Sequence, residues 1–281
     1  MFHNLLILFI AMLPVLATAQ EHVDAFQVAT YNIRYDAKED TANRWDTRKH
    51  EIQKLLLYHQ VDIVGIQEGL HHQVEDLDNF LPHHSFVGAG RDDGAKKGEY
   101  SALYFDNRRF ALQKSGTFWL SKTPDKPSKD WDAALPRVCT WALLKDKQNG
   151  KMVYVFNTHF DHIGKIARVN SARLIHEKIS TIANNAPVIL MGDFNVEPAS
   201  DVYGVLQTNN MKDAMHLSVI PHFGPEATFN GFNFIEVPQR RIDFIFVSPS
   251  IRVLRHSITN HHYNLKYPSD HFPVLSEVVI Q

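Results

Sequence analysis

The sequence predicts a mixed α/β fold built on packed sheets. Two observations lead there. Early in the chain, short apolar strand-like runs alternate with stretches of helical periodicity, and in the middle several runs follow one another at hairpin spacing. Many of these runs also close on Asn, Glu, His or Asp, so chemistry-bearing side chains gather at strand ends.

Phe26 to Tyr35 alternates and is rich in aromatic and β-branched residues, which predicts a strand. Arg44 to Gln60 places Ile52, Leu55, Leu56 and His59 on one stripe, which predicts a helix with Asp46 as its N-cap. Val61 to Gln67 is short and nearly all apolar, as in a strand buried on both faces. His71 to Leu81 reads as a second helix with Val74, Leu77 and Phe80 inward, closed by Pro82. Gly88 to Gly98 reads as a mobile loop. It lacks the Gly-Lys-Ser/Thr of a phosphate-binding loop and the glycine spacing of a dinucleotide site. Strands are expected at Tyr100–Phe105, Phe110–Leu120, Val138–Leu144 and Met152–Thr158, with a polar, Pro-containing insertion from Ser121 to Pro136 that carries Trp131. A helix over Ile166–Ala183 precedes strands at Val188–Met191, Ile242–Val247, Ile251–Ile258 and Val274–Ile280.

The chain has 281 residues, 44% hydrophobic and 21% charged. That length fits one large domain, and the site candidates run from Asn32 to His271 with no linker between them. A formal net charge of −2 argues against a general trap for polyanions. Leu5 to Ala19 is an apolar stretch ending in Ala17-Thr18-Ala19, the pattern of a signal peptide cleaved before Gln20, although Met1 to Asn4 brings no Lys or Arg. Residues 1–19 are therefore expected to be a signal peptide and 20–281 a single domain, exported to a periplasm or secreted, with no stable membrane span. The only cysteine is Cys139, so no intramolecular disulfide can form, and stability must come from a large core.

Asn32, Glu68, Asp193, Asn195 and Asp270 all stand at or just past strand ends. Hard oxygen donors of this kind suit Mg²⁺, with Mn²⁺ as the alternative. His159 and His271 also follow strands, and each has a candidate acid partner that would orient it. The pairs His71-His72, His83-His84 and His261-His262 read as surface features. Asn157-Thr158-His159-Phe160-Asp161-His162 approaches the zinc-hydrolase pattern H-x-H-x-D-H, but Asn157 replaces the first zinc ligand.

Seven motifs occur in order: Tyr31-Asn32-Ile33-Arg34, Gln67-Glu68, Gly98-Glu99-Tyr100-Ser101, Asn157-Thr158-His159, Gly192-Asp193-Phe194-Asn195, Arg241-Ile242-Asp243 and Ser269-Asp270-His271. As a set they resemble the endonuclease/exonuclease/phosphatase superfamily, from Phe26 to the C-terminus, and in particular its exported bacterial members. The resemblance implies a four-layer α/β/β/α sandwich with two packed mixed sheets and the site at one end. It implies Glu68 as the principal Mg²⁺ ligand, with Asn32 and Asp270 nearby. It implies Asp193 as the residue that orients or deprotonates the attacking water, and Asn195 as a donor to the phosphoryl oxygen. His271 braced by Asp243, and His159 braced by Glu99, would face the phosphate. For Glu99 the alternative is a solvated loop residue. Arg137 and Arg91 are candidate phosphate contacts, with a surface ion pair as the alternative for each.

The expected activity is metal-assisted, in-line attack of water on a phosphoester, a phosphodiester before a monoester. Nucleic acid, phospholipid and glycan phosphodiesters stay open as substrates, and no obligate protein partner is evident. Lys96, Lys97, Arg108, Arg109, Arg240 and Arg241 are the candidate basic rails of a nuclease; Phe229 to Val237 is the candidate membrane-docking hairpin. A non-catalytic phospho-ligand-binding protein is the reading from another class.

Overall fold

A computed structural model describes residues 24–281; the expected signal peptide lies outside the described residues. The strands are β1 Phe26–Asn32, β2 Ile63–Gln67, β3 His84–Val87, β4 Leu103–Asp106, β5 Phe110–Trp119, β6 Val138–Asp146, β7 Met152–His159, β8 Val188–Asp193, β9 Lys212–Asp213, β10 Asp243–Val247, β11 Ile251–Ile258 and β12 Val274–Ile280. The helices are α1 Trp45–Tyr58, α2 His71–Phe80, α3 Lys165–Ala183, α4 Asp201–Leu206 and α5 Ala214–Leu217. One sheet runs β11-β12-β1-β2-β4-β3 and the other β5-β6-β7-β8-β10-β9.

Alternation along the strands explains the layering. Val28, Ile63 and Leu103 of the first sheet meet Val155, Ile189 and Ile245 of the second in the central core. Their neighbours Ala29, Tyr31, Val64 and Ile66 point the other way, against Leu55, Leu56, Val74 and Leu77 of α1 and α2. Phe156, Leu190, Phe244 and Phe246 point away from the centre as well, packing on Ala172, Ile175 and Leu206 of α3 and α4. The result is the α/β/β/α sandwich, and strands apolar on both faces are its consequence.

Both sheets carry the same device at one end. β1 and β2 are parallel and joined through α1, with Asn32 opposite Gln67. β7 and β8 are parallel and joined through α3, with His159 opposite Asp193. Parallel pairing brings the C-terminal ends together, so these polar residues converge on one edge of the sandwich. Asn157 fastens the two sheets just below that edge. Its Nδ2 donates to Ile66 O at 2.8 Å and Ala102 O at 2.9 Å, and its Oδ1 accepts from Gln67 Nε2 at 2.7 Å. Gly65 makes room for it, because a Cβ there would lie 2.6 Å from the Asn157 amide.

Several local expectations are corrected. β1 stops at Asn32 because Arg34 takes a positive φ of 56°, which breaks the ladder. Asp46 is not the N-cap of α1. Arg44 holds that position, and Asp36 takes the Trp45 N–H from outside the helix at 3.0 Å. Asp46 sits in the first turn and pairs with Lys49 at 2.7 Å. Tyr100 lies outside β4 and bridges to Gly69 instead. The Gly88–Gly98 loop is tied by its own bonds, Gly90 N to Ala95 O at 3.0 Å and Asp92 N to Lys97 O at 3.0 Å. His84 is not a free surface residue: it starts β3, and its ring meets Val61 O at 2.8 Å.

Candidate active site

Asn32 stands at the centre of the edge. Its Nδ2 donates to Glu68 Oε1 at 3.1 Å and to Asp193 Oδ2 at 3.0 Å, while its Oδ1 accepts the Arg34 N–H at 3.0 Å. That last contact settles which way the amide faces. Asn32 therefore ties one carboxylate from each sheet together. Its oxygen is turned away from them, so in this arrangement it supports the carboxylates and offers no ligand atom beside them.

Glu68 follows β2 in a left-handed conformation, φ 63°, which turns its carboxylate over the edge. Oε2 accepts the Tyr35 N–H at 3.1 Å and meets Arg34 Nη1 at 3.4 Å. Burial opposes its charge. Arg34, His271 and the bonds from Asn32 and Tyr35 prevail, and they hold the carboxyl below its ordinary range. Asp270 lies across Arg34, with its Oδ2 3.7 Å from Nε. Burial raises its carboxyl; Glu68 adds to that, against the pull of His271 and Arg34.

Asp193 Oδ1 accepts the Asn195 N–H at 2.9 Å, and Oδ2 lies 3.4 Å from His159 Nε2 and 3.8 Å from His271 Nε2. Burial and the nearby Asp243 charge push its pKa up to about 7. The two histidines behave oppositely. Burial works against charge on His271, yet the 2.8 Å contact of Nδ1 with Asp243 Oδ2, together with Asp193 and Asp270, pushes its pKa up to about 10. His159 is held well below the ordinary value by burial and by Arg137 and Arg91. At neutral pH the site thus holds a charged His271 beside a neutral His159.

The expected brace of His159 by Glu99 is not a hydrogen bond: His159 Nδ1 and Glu99 Oε2 are 4.0 Å apart. Glu99 belongs instead to a fork with Arg91, Nη1 to Oε2 at 2.5 Å and Nη2 to Oε1 at 2.9 Å. The pair is largely buried, so the solvated-loop and surface-pair readings both fall. Arg91 itself does not line the cleft, and its guanidinium serves Glu99. The brace on His159 is Asn195, whose Nδ2 meets His159 Nε2 at 3.1 Å and donates to Phe160 O at 3.0 Å. Both N–H groups of that amide are then spent inside the protein, which leaves none for a phosphoryl oxygen in this state.

These groups open into a cleft of about 540 Å³ whose lining includes Glu68, His159, Asp193, Asn195, Asp270 and His271. Arg137 lines it too. It is 5% exposed, 3.0 Å from His162 Nδ1 and 3.5 Å from Asp161, with Nη1 free of hydrogen bonds. Arg34, Tyr35, His162, Phe229 and Arg240 also line it, beyond the expected site residues. Trp131 is half-buried and does not line the cleft.

The donor chemistry fits a divalent cation. Glu68 and Asp270 converge on one guanidinium, Arg34, with Asp193 joined to Glu68 through Asn32, and the carboxyls of Asp193 and Asp270 are pushed upward by burial and by other carboxylates. A hard divalent cation would relieve that crowding. Asp193, Asp243 and His271 also bring potential ligand atoms within 4.8 Å of one another. A protonated His271 has no lone pair to give, so Glu68 and Asp270 are the better pair.

The endonuclease/exonuclease/phosphatase family matches residues 29–271. The chain belongs to that family. Members of this phosphoester-cleaving family include a Bacteroides thetaiotaomicron structure described only by the family name. It is 40% identical with a TM-score of 0.88, and the match covers 92% of this chain and 98% of that one. A mannosyl-6-phosphatase of the same organism is 40% identical with a TM-score of 0.88, covering 91% and 100%. An uncharacterised protein of Acanthamoeba polyphaga mimivirus is 24% identical over 88% of this chain and 42% of its own length. The chain spans between 42% and 65% of the curated relatives it matches. No helix among the described residues is long and apolar enough to cross a membrane.

Proposed function

We propose that the chain is an exported, Mg²⁺-dependent phosphoesterase that hydrolyses a small phosphorylated molecule, a sugar phosphate monoester first. The observation that carries this reading is the charge pattern of the cleft. Arg34, Arg137, Arg240 and the charged His271 concentrate at one short opening beside the acids. Three of the six candidate rail residues of a nuclease groove are spent elsewhere. Arg109 is tied to Asp146 and to the Ala25 carbonyl at the opposite end of β1; Arg108 pairs with Asp106, and Arg241 is buried against Asp213. A dianionic monoester suits such a focus better than a long polyanion does. The mannosyl-6-phosphatase among the similar structures supports the same choice.

A phosphodiester is the second reading. Ile235 and Val237 are 94% and 77% exposed in the segment between the cleft-lining Phe229 and Arg240, apolar surface that a second ester group would cover.

In either case Asp193, poised near neutrality, takes a proton from the attacking water. The imidazolium of His271 and the Arg137 guanidinium donate to phosphoryl oxygens as charge develops, and the P–O bond to the leaving alcohol breaks as that oxygen takes up a proton from solvent. Neutral His159 is held in place by Asn195. A cation at Glu68 and Asp270 would polarise the phosphoryl group. The test is turnover of mannose 6-phosphate, p-nitrophenyl phosphate, bis(p-nitrophenyl) phosphate and a single-stranded oligonucleotide, each with Mg²⁺, Mn²⁺ or chelator. The monoesters should lead; preference for the oligonucleotide would overturn the reading.

A further inference from the structure

Arg34 is held in a conformation that a side chain with a Cβ disfavours, φ 56°, and the surroundings over-determine it. The Arg48 guanidinium, itself 1% exposed, donates to the Arg34 carbonyl at 2.5 Å, to the Pro268 carbonyl at 3.2 Å and also to the Ile33 carbonyl. Gln73 Nε2 adds a second bond to Arg34 O at 3.0 Å. This strained corner aims the Arg34 side chain across Tyr35, 4.4 Å from its ring, and between Glu68 and Asp270.

Its grip on those acids is loose. The contacts are 3.4 Å and 3.7 Å, and the buried Nε has no hydrogen-bond partner. Elsewhere the same chain makes tight forks, Arg44 to Asp36 at 2.7 and 2.8 Å and Arg91 to Glu99 at 2.5 and 2.9 Å. Arg34 is close enough to neutralise the pair but is bonded to it only through one long contact, Nη1 to Glu68.

We infer that Arg34 is a built-in counter-ion for Glu68 and Asp270, competing with the divalent cation for the same two carboxylates. Cation binding releases its guanidinium to the cleft, where a phosphate is the remaining partner. This rests on the proposed cation site and adds to it a residue that sets cation affinity. A merely structural Arg34, one that holds the carboxylates ready for the cation, predicts the opposite sign on substitution.

The test is Mg²⁺ titration calorimetry on the wild type, Arg34→Gln and Arg34→Lys, with thermal unfolding in chelator and in Mg²⁺. Arg34→Gln should bind Mg²⁺ roughly tenfold tighter, since a like charge at contact distance is gone. It should melt lower in chelator and gain more from Mg²⁺, while Arg34→Lys stays near the wild type. Side-chain NMR of the wild type gives a check that needs no folded Gln variant: the Arg34 Nε resonance, assigned by its loss in Arg34→Lys, should shift on adding Mg²⁺. Equal or weaker Mg²⁺ binding by Arg34→Gln, or an unmoved resonance, in a wild type that binds Mg²⁺ and hydrolyses, would overturn the inference alone. A wild type that binds neither Mg²⁺ nor Mn²⁺ and turns over unchanged in chelator would remove the cation site, and the inference with it.

Discussion

His271 Nδ1 lies 2.8 Å from Asp243 Oδ2, with both side chains buried, and this contact decides which histidine of the site is charged. Asp243→Asn removes the counter-charge and leaves His271 neutral through most of the working pH range. The expected result is a fall in kcat of about 10²–10³-fold, the scale of losing one transition-state donor. The alkaline limb of the pH–rate profile should move to lower pH. The stability change has a definite sign. The folded pKa of about 10 lies above the ordinary 6.5, so the contribution is fully present below pH 6.5 and lost as pH rises through about 10. Denaturant unfolding across that range should show the loss in the wild type and a flatter curve in Asp243→Asn.

Asp193 gives a prediction of the opposite flavour. Its pKa is raised from 3.8 to about 7, so the folded chain holds a proton that the unfolded chain has lost. Its charge therefore weakens the cation-free fold progressively as pH rises from about 4 to 7. Asp193→Asn should abolish turnover yet stabilise the cation-free protein at pH 8. Chemical denaturation in chelator measures it. A bound cation would draw the Asp193 pKa down, so the acid limb of kcat/KM should fall at or below about pH 7.

Asn157 is expected to act on stability rather than chemistry. Asn157→Ala strips the amide that joins Ile66 O, Ala102 O and Gln67 across the two sheets. Leaving those buried groups unpaired should cost about 2–5 kcal/mol. Gly65→Ala should destabilise as well, because its Cβ would meet the same amide at 2.6 Å. Equilibrium unfolding of both variants, and of the pair together, would show whether the effects couple.

The strand ends carried most of what could be read in advance. Asn32, Glu68, His159 and Asp193 each close an apolar run, and parallel pairing of β1 with β2 and β7 with β8 brings them to one edge, whereas Asp270 and His271, expected past a strand end, lie in the loop ahead of β12. What stayed hidden depends on local geometry that residue type does not encode. Arg34 looked like the tail of a strand; its role arises from a left-handed backbone fixed by Arg48 and Gln73. Asn195 looked like a phosphate donor, but Phe160 O and His159 take both of its N–H groups. Glu99 and Arg91 find each other eight positions apart across a folded turn, which spacing alone could not show. β3 has no alternating pattern because all four of its residues are half-buried. The short helices α4 and α5 carry side-chain caps, Ser200 on Tyr203 N and Asp213 on Met215 N, and are too short for their apolar positions to show a helical period.

The most direct test of the account compares the wild type with Glu68→Gln, measuring phosphate release from mannose 6-phosphate and p-nitrophenyl phosphate across a Mg²⁺ titration. The account predicts turnover that chelator removes and Mg²⁺ restores, and in Glu68→Gln a loss of at least about 10²-fold that saturating Mg²⁺ does not recover. Full activity in Glu68→Gln, or turnover indifferent to chelator, would contradict it.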